Sequence, residues 1–274
     1  MPLFRGYLQA FQTSRSLVSC SSRSSVSLAA AVPTLFKNPR FQVVRCAHSI
    51  ADMQLFKPKT MKPLSNKPQK LRGVIFDMDG TLTEPYLDIA EMKRRCGITS
   101  GDILDVIGSW SAEDQKQANK IIYEMECDAR LNMTLMPGVA DLCRFLDERG
   151  IPRGILTRNV MESVDHLHKE HVEAKPFLPA VTRGFTPYKP HPAGLMHICD
   201  VWRVDPSEIV MVGDSAKDDV VVGNRAGSAT ILLDTTDRYR EEDLHGELLP
   251  NFVVTHLDQI VPLLKEHFAF GVDV

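Results

Sequence analysis

The chain has 274 residues, 43% of them hydrophobic and 24% charged, the balance of an ordinary globular protein. That length suits one compact domain with an insertion or a tail, and no apolar run approaches the about 20 residues that a membrane-spanning helix needs. A net charge of −3 conceals a division: residues 1–76 hold twelve Lys and Arg against one acid, Asp52, which leaves 20 basic and 34 acidic residues beyond Phe76. So acidic a main part lacks the basic footprint of a nucleic-acid binder. The six cysteines show neither a CxxC pair nor the Cys/His spacing of a zinc site, so they read as reduced thiols.

The first 49 residues contain no Asp or Glu, carry five arginines and are dense in serine from Ser14 to Ser27. Leu3, Phe4, Tyr7, Leu8 and Phe11 recur near helical spacing. An acid-poor, Arg- and Ser-rich, amphipathic start is the signature of an organelle transit peptide. Val44-Arg45-Cys46-Ala47 suits either a plastid or a mitochondrial processing site, with a slight lean to the mitochondrion. Residues 57–70 are rich in Lys and Pro and read as a linker, so residues 1–70 are set aside and the folded part is expected from Leu71.

From there strands alternate with helices. Gly73 to Phe76 is a short apolar run, expected to be a buried strand. After it the alternation stops: residues 88–96 and 114–130 have helical spacing with no strand between them, which predicts a small helical cap over residues 84–136. The core resumes at 137 and runs to 274. Residues 139–148 predict a helix ended by Gly150, 154–157 a strand, 160–169 a helix and 180–185 a third strand. Pro192 opens a helix to about Trp202, 209–212 is a fourth strand, 217–226 a helix capped by Gly227, 230–233 a fifth strand and 261–268 a last helix. Such alternation predicts an α/β fold with a mostly parallel sheet.

In such sheets functional groups gather at the carboxyl ends of the strands, and here Asp77, Thr157 and Asp214 stand at three of them. In Asp77-Met78-Asp79-Gly80-Thr81, one carboxylate can attack phosphorus and hold it covalently. The second can protonate the leaving oxygen and then activate water. An ordinary polar turn explains either Asp alone but not the whole string. Thr81 offers a hydroxyl and an amide beside a phosphate. Thr157 is a phosphate-oxygen donor, helped by the amides of Arg158 and Asn159 at a helix start, and Lys189 is a point charge for the phosphate and the nucleophile. Asp214, with Asp77 and the Asp79 backbone carbonyl, makes an oxygen site suited to Mg2+, with Asp218 close behind.

Together, Asp77-x-Asp79-Gly80-Thr81, Thr157, Lys189 with Pro190, and Gly213-Asp214-x-x-x-Asp218 resemble the four motifs of the haloacid dehalogenase-like hydrolase superfamily, in order and on the expected elements. The resemblance covers about Leu71 to Leu233, and within the superfamily the chain resembles the phosphoglycolate phosphatase-like members. It implies a Rossmann-like parallel sheet with helices on both faces, a type 1 cap after the first strand, and a Mg2+-dependent phosphatase acting on a small phosphate ester, with no nucleic-acid or membrane partner. Dehalogenase-type members lack an acid at the Asp79 position, so Asp79 points to phosphate esters. A phosphomutase of the β-phosphoglucomutase kind shares all four motifs, and a catalytically silent protein of the same fold is the remaining alternative. Arg158 departs from the small or amide residue common after the motif-two Thr, and either points away or reads part of the substrate. Lys93, Arg94, Arg95 and Trp110 are cap candidates for the same task, though ordinary surface and packing roles suit them better. A fluorescent fusion of residues 1–70 is expected to enter a mitochondrion or chloroplast; a diffuse cytosolic signal would refute the transit-peptide reading.

Overall fold

The computed structural model describes residues 58–64, 69–172 and 175–270. The transit-peptide reading falls outside them. Within them, a seven-stranded sheet is built from β1 (Lys59–Thr60), β3 (Gly73–Phe76), β4 (Arg153–Leu156), β5 (Ala180–Val181), β6 (Ile209–Gly213), β7 (Ala229–Leu233) and β8 (Phe252–Val254), in the order β1-β8-β7-β6-β3-β4-β5. Every pairing is parallel except that of β1 with β8. A separate pair, β2 (Gln69–Lys70) with β9 (Phe268–Ala269), ties the two ends of the core together.

The continuous apolar runs follow from burial on both faces, and the side-chain period of two divides them between two cores. Val74, Phe76, Val210 and Val212 face one side, where α4 (Val139–Glu148), α5 (Met161–Glu170) and α8 (Ile260–His267) add residues such as Leu146, Leu167 and Leu264. Ile75, Ile209 and Met211 face the other, met by Leu195 and Ile198 of α6 (Ala193–Trp202) and Val222 of α7 (Val221–Ala226). The chain leaves β3 toward β4 on one side and later returns to β6 on the other. The crevice between β3 and β6 is therefore the switch point at which such sheets place their sites.

The cap consists of α1 (Ile89–Cys96), α2 (Ile103–Gly108) and α3 (Ala112–Leu131), each N-capped by a side chain: Asp88, Asp102 and Ser111. Met92, Ile98, Ile103, Ile107, Ala118 and Ile122 form its own small core, with Trp110 packed against them. Arg94 and Arg95 pair with Glu91 and Glu124 on its surface. Its two connections to the sheet run side by side, joined by hydrogen bonds from the Glu84 amide to the Thr134 carbonyl and from the Met136 amide to the Leu82 carbonyl, both 2.9 Å.

Four features depart from the sequence reading. The folded part starts before Leu71, because Lys59–Thr60 and Gln69–Lys70 each find an exposed strand edge. The cap has a third helix, α2, too short to show a period. The expected strand over 180–185 is two residues long, since a turn closes at once with the Phe185 amide on the Thr182 carbonyl. Strand β8 is three residues, below the length at which alternation is readable.

One charge is buried in β4. Arg153, 3% exposed, donates to the Cys143 and Lys175 carbonyls, pairs with Asp147 at 2.9 Å and lies over the Phe177 ring. Asp147→Ala leaves the guanidinium its two carbonyls, whereas Arg153→Met leaves both carbonyls without their donor. Asp147→Ala is therefore expected to cost about 1–2 kcal/mol in urea unfolding and Arg153→Met about 2–4 kcal/mol; the reverse order would show that the carbonyl bonds do not hold the strand.

Candidate active site

Asp77 follows β3, its amide donating to the Val212 carbonyl of β6 at 2.9 Å. The chain then turns back on itself, with the amides of Leu82 and Thr83 both on the Met78 carbonyl. Gly80 sits at φ +77°, and a Cβ there would lie 2.6 Å from an Asp214 carboxylate oxygen, so only glycine admits this turn. The turn and the end of β6 thereby bring Asp77, Asp79 and Asp214 to one crevice.

Lys189 reaches the same place from the loop before α6. It is 2% exposed, with Nζ 2.8 Å from Asp77 Oδ1 and 2.7 Å from Asp219 Oδ1. Burial alone would lower its pKa; Asp219 and Asp77 reverse that and hold the ammonium protonated. Oxygens of Asp77, Asp214 and Asp219 lie within 4.8 Å of one another, and the surplus negative charge is visible in their neighbours. Burial, and then Asp77, raise the pKa of Asp214 against the opposing pull of Arg238, whose Nη2 donates to its carboxylate at 2.9 Å and its carbonyl at 2.7 Å. Burial also raises Asp219 well above the usual carboxylate range, Lys189 opposing. An all-oxygen acidic cluster with excess negative charge is the donor set that Mg2+ takes, so these residues fit that ion.

Asp79 contributes no carboxylate oxygen to this cluster. Its Oδ2 accepts from Asn159 Nδ2 at 2.9 Å, and burial followed by the nearby Asp77 carries its pKa up to about 6 against that hydrogen bond. An acid of this kind serves as proton donor and acceptor near neutral pH.

Two sequence assignments need correction. Asp218 is not in the acidic cluster; Asp219 is. Residues 216–220 form a π turn in which the Val220 and Val221 amides reach the carbonyls five residues back, Ser215 and Ala216. The wider turn aims Asp219 inward, where the absent side chain of Gly213 makes room: a Cβ there would stand 2.1 Å from the Asp219 carboxyl carbon. Asp218 instead faces Arg158 at 3.5 Å. Neighbouring acids gave no sequence signal to choose between them.

The second correction concerns the phosphate donors. Thr157 is buried at the end of β4 and lines the cavity, but its Oγ1 accepts the Asn159 amide at 3.0 Å. That amide is thus not free for phosphate, and the Asn159 side chain serves Asp79 instead. Arg158 donates to Asp102 of the cap at 2.6 Å and lies over the Tyr188 ring. Thr81 is fully buried, with its hydroxyl unpartnered, and does not line the cavity. Thr157, Arg158, Asn159 and Lys189 all line the cavity, with the side chains of Arg158 and Asn159 bonded to Asp102 and Asp79.

Above the crevice, between cap and core, lies a half-open cavity of about 360 Å3. Three polar contacts join its rim to the sheet: Arg158 to Asp102, Arg183 to the buried Glu126, and the Tyr188 hydroxyl to Asp105. Arg183, Glu126 and Arg238 were not singled out in the sequence, since nothing in their local spacing marks them.

The sequence profile of the haloacid dehalogenase-like hydrolases matches residues 71–227. A haloacid dehalogenase-like hydrolase domain-containing protein of Arabidopsis thaliana is 44% identical over 217 residues, covering 74% of this chain and 88% of its own. A phosphoglycolate phosphatase of Haemophilus influenzae is 30% identical over 237 residues, covering 73% of this chain and all of its own. Among solved structures, a hydrolase of the same family from Deinococcus radiodurans with bound phosphate and sodium superposes with a TM-score of 0.54 at 18% identity, over 73% of this chain and 97% of its own. The chain belongs to the haloacid dehalogenase-like hydrolases. Within them it is a phosphatase similar to the phosphoglycolate phosphatase-like members.

The raised pKa of Asp79 has a consequence for stability. A carboxyl that titrates near 3.8 unfolded and near 6 folded costs nothing below pH 4. The cost grows from pH 4 to 6 and is complete above that. In metal-free protein, Asp79→Asn is expected to add about 1–3 kcal/mol at pH 7 and nothing at pH 4. Equal unfolding curves for the two proteins at pH 7 would contradict it.

Proposed function

We propose that the chain is a Mg2+-dependent phosphomonoester hydrolase that forms an aspartyl phosphate on Asp77. One observation supports this above the others: a strand-end carboxylate fixed by a buried lysine stands two residues from an acid titrating near pH 6.

The ester's phosphoryl group lies against Thr157 and Lys189. Asp77 attacks the phosphorus, the bond to the ester oxygen breaks, and Asp79 gives its proton to the departing alkoxide. Asp79, now a carboxylate, takes a proton from water. The water oxygen attacks phosphorus and breaks the bond to Asp77, releasing inorganic phosphate and restoring both acids. Asn159 keeps the Asp79 carboxyl turned to the same place through both steps, and the cap limits water during the first. Asp77 and Asp214, with Asp219 beside them and the Asp79 backbone carbonyl, are the residues that would hold Mg2+. When bound, the ion offsets negative charge that would otherwise repel a phosphate dianion.

A cavity bordered by the cap supports a small phosphorylated metabolite over a phosphoprotein, and the name of the Haemophilus influenzae relative offers phosphoglycolate as one candidate. The acid-poor first 49 residues support import into a mitochondrion or chloroplast as its setting.

With p-nitrophenyl phosphate, turnover is expected to require Mg2+ and to stop with EDTA. Asp77→Asn is expected to lower it at least about a thousandfold with the circular dichroism spectrum and Tm retained. Undiminished turnover in that variant would place the nucleophile elsewhere. Formation of a bisphosphate without released phosphate on a sugar phosphate would replace hydrolysis by phosphomutase chemistry.

A further inference from the structure

The cavity above the crevice offers a substrate's organic part more room than a two-carbon acid fills. On the cap side the cavity is bordered by Leu87, Ile89 and Leu104, with Met92, Ile103 and Ile122 of the cap core behind them. Ile89 borders the cavity and is exposed. None of the described residues lining the cavity is aromatic, so it has no platform on which a base or an aromatic ring could stack. Four of its charged side chains are taken up in two pairs, Arg158 with Asp102 and Arg183 with Glu126. A cavity of about 360 Å3 falls in the range that holds ligands well above two carbons.

Charge narrows the choice further. Five cations line the cavity. Lys189 is matched by Asp77 and Asp219, Arg158 by Asp102 and Asp218, Arg183 by Glu126 and Arg238 by Asp214. Lys93 alone is without a carboxylate among the described residues; its Nζ donates to the Gly101 carbonyl at 2.7 Å. A lysine has three donors, so this contact leaves two for a ligand. Arg94 and Arg95, the other basic residues of α1, are spent on surface glutamates and do not line the cavity.

We infer that the substrate is a phosphomonoester of an aliphatic chain longer than two carbons, ending in an anionic group that Lys93 binds. The chain packs on the cap wall while the phosphoryl group meets Asp77. This rests on the phosphatase reading and adds to it the class of leaving group and the residue that selects it.

The test uses the full-length protein with Mg2+ and two series of esters from two to six carbons: alkyl phosphates, and phosphooxy acids with the carboxylate at the far end, whose shortest member is phosphoglycolate. The reference is p-nitrophenyl phosphate. Within the acid series kcat/KM is expected to rise about three- to fourfold per methylene. The longer acids are expected to exceed alkyl phosphates of equal length about ten- to a hundredfold. Lys93→Met should erase that second difference through KM at unchanged Tm, and Lys93→Arg should keep most of it. A flat acid series, or a preference that survives Lys93→Met, overturns the inference while turnover of the reference ester leaves the phosphatase reading standing. No turnover of any ester, the reference included, overturns both.

Discussion

The buried ammonium of Lys189 between Asp77 and Asp219 is the constraint around which the site is organised. Taking charges out of water is costly and is offset only by close, well-aligned partners, so the elements that deliver these partners have little freedom. Strand β3 must end at Asp77, β6 must end in a glycine that lets Asp219 approach, and the turn after it must be wide enough to aim that acid inward. One ammonium still faces several carboxylates. Burial, and then the charge of Asp77, raise Asp79 and Asp214, and the residual negative charge makes the crevice a place for a hard divalent cation. Stability and chemistry conflict here, as they do where a fold holds a reactive group in a strained electrostatic setting.

Much of this was legible in the residues. The apolar runs that end at Asp77, Thr157 and Asp214 are buried strands because a parallel sheet is covered on both faces, and that burial writes itself as uninterrupted hydrophobicity. Helices α4, α6 and α8 were visible because each buries one stripe at helical spacing. What escaped the sequence was short or relational. Strands of two or three residues have no period, and β1 exists because β8 offers it an edge. Asp218 and Asp219 are identical in kind and adjacent, so only a π turn, a property of backbone hydrogen bonding, distinguishes the inward one. Asn159 read as an amide for phosphate because its side-chain partner, Asp79, lies 80 positions earlier in the chain.

Arg158 shows the same lesson from the other side. Its departure from the family's pattern suggested either a side chain turned away or one reading the substrate, and it lies between the cap and the core. It reaches Asp102, the N-cap of α2, with one nitrogen and Asp218 with another, while packing on Tyr188, which itself donates to Asp105. The outward acid of the π turn is therefore employed as well as the inward one. A single extra residue in that turn lets adjacent carboxylates serve the catalytic crevice and the cap rim separately.

The paired connections of the cap have a kinematic consequence. Two independent tethers would let three helices slide, tilt or twist over the crevice. Because residues 82–84 and 134–136 are bonded to each other, they form one leaf, a single joint between the cap and the sheet in place of two separate tethers. That joint includes Thr83, whose neighbours in the same turn are Asp79 and Gly80. The joint of the cap and the carboxyl of Asp79 thus share one short piece of chain, so the same few backbone bonds that seat the cap also aim that acid.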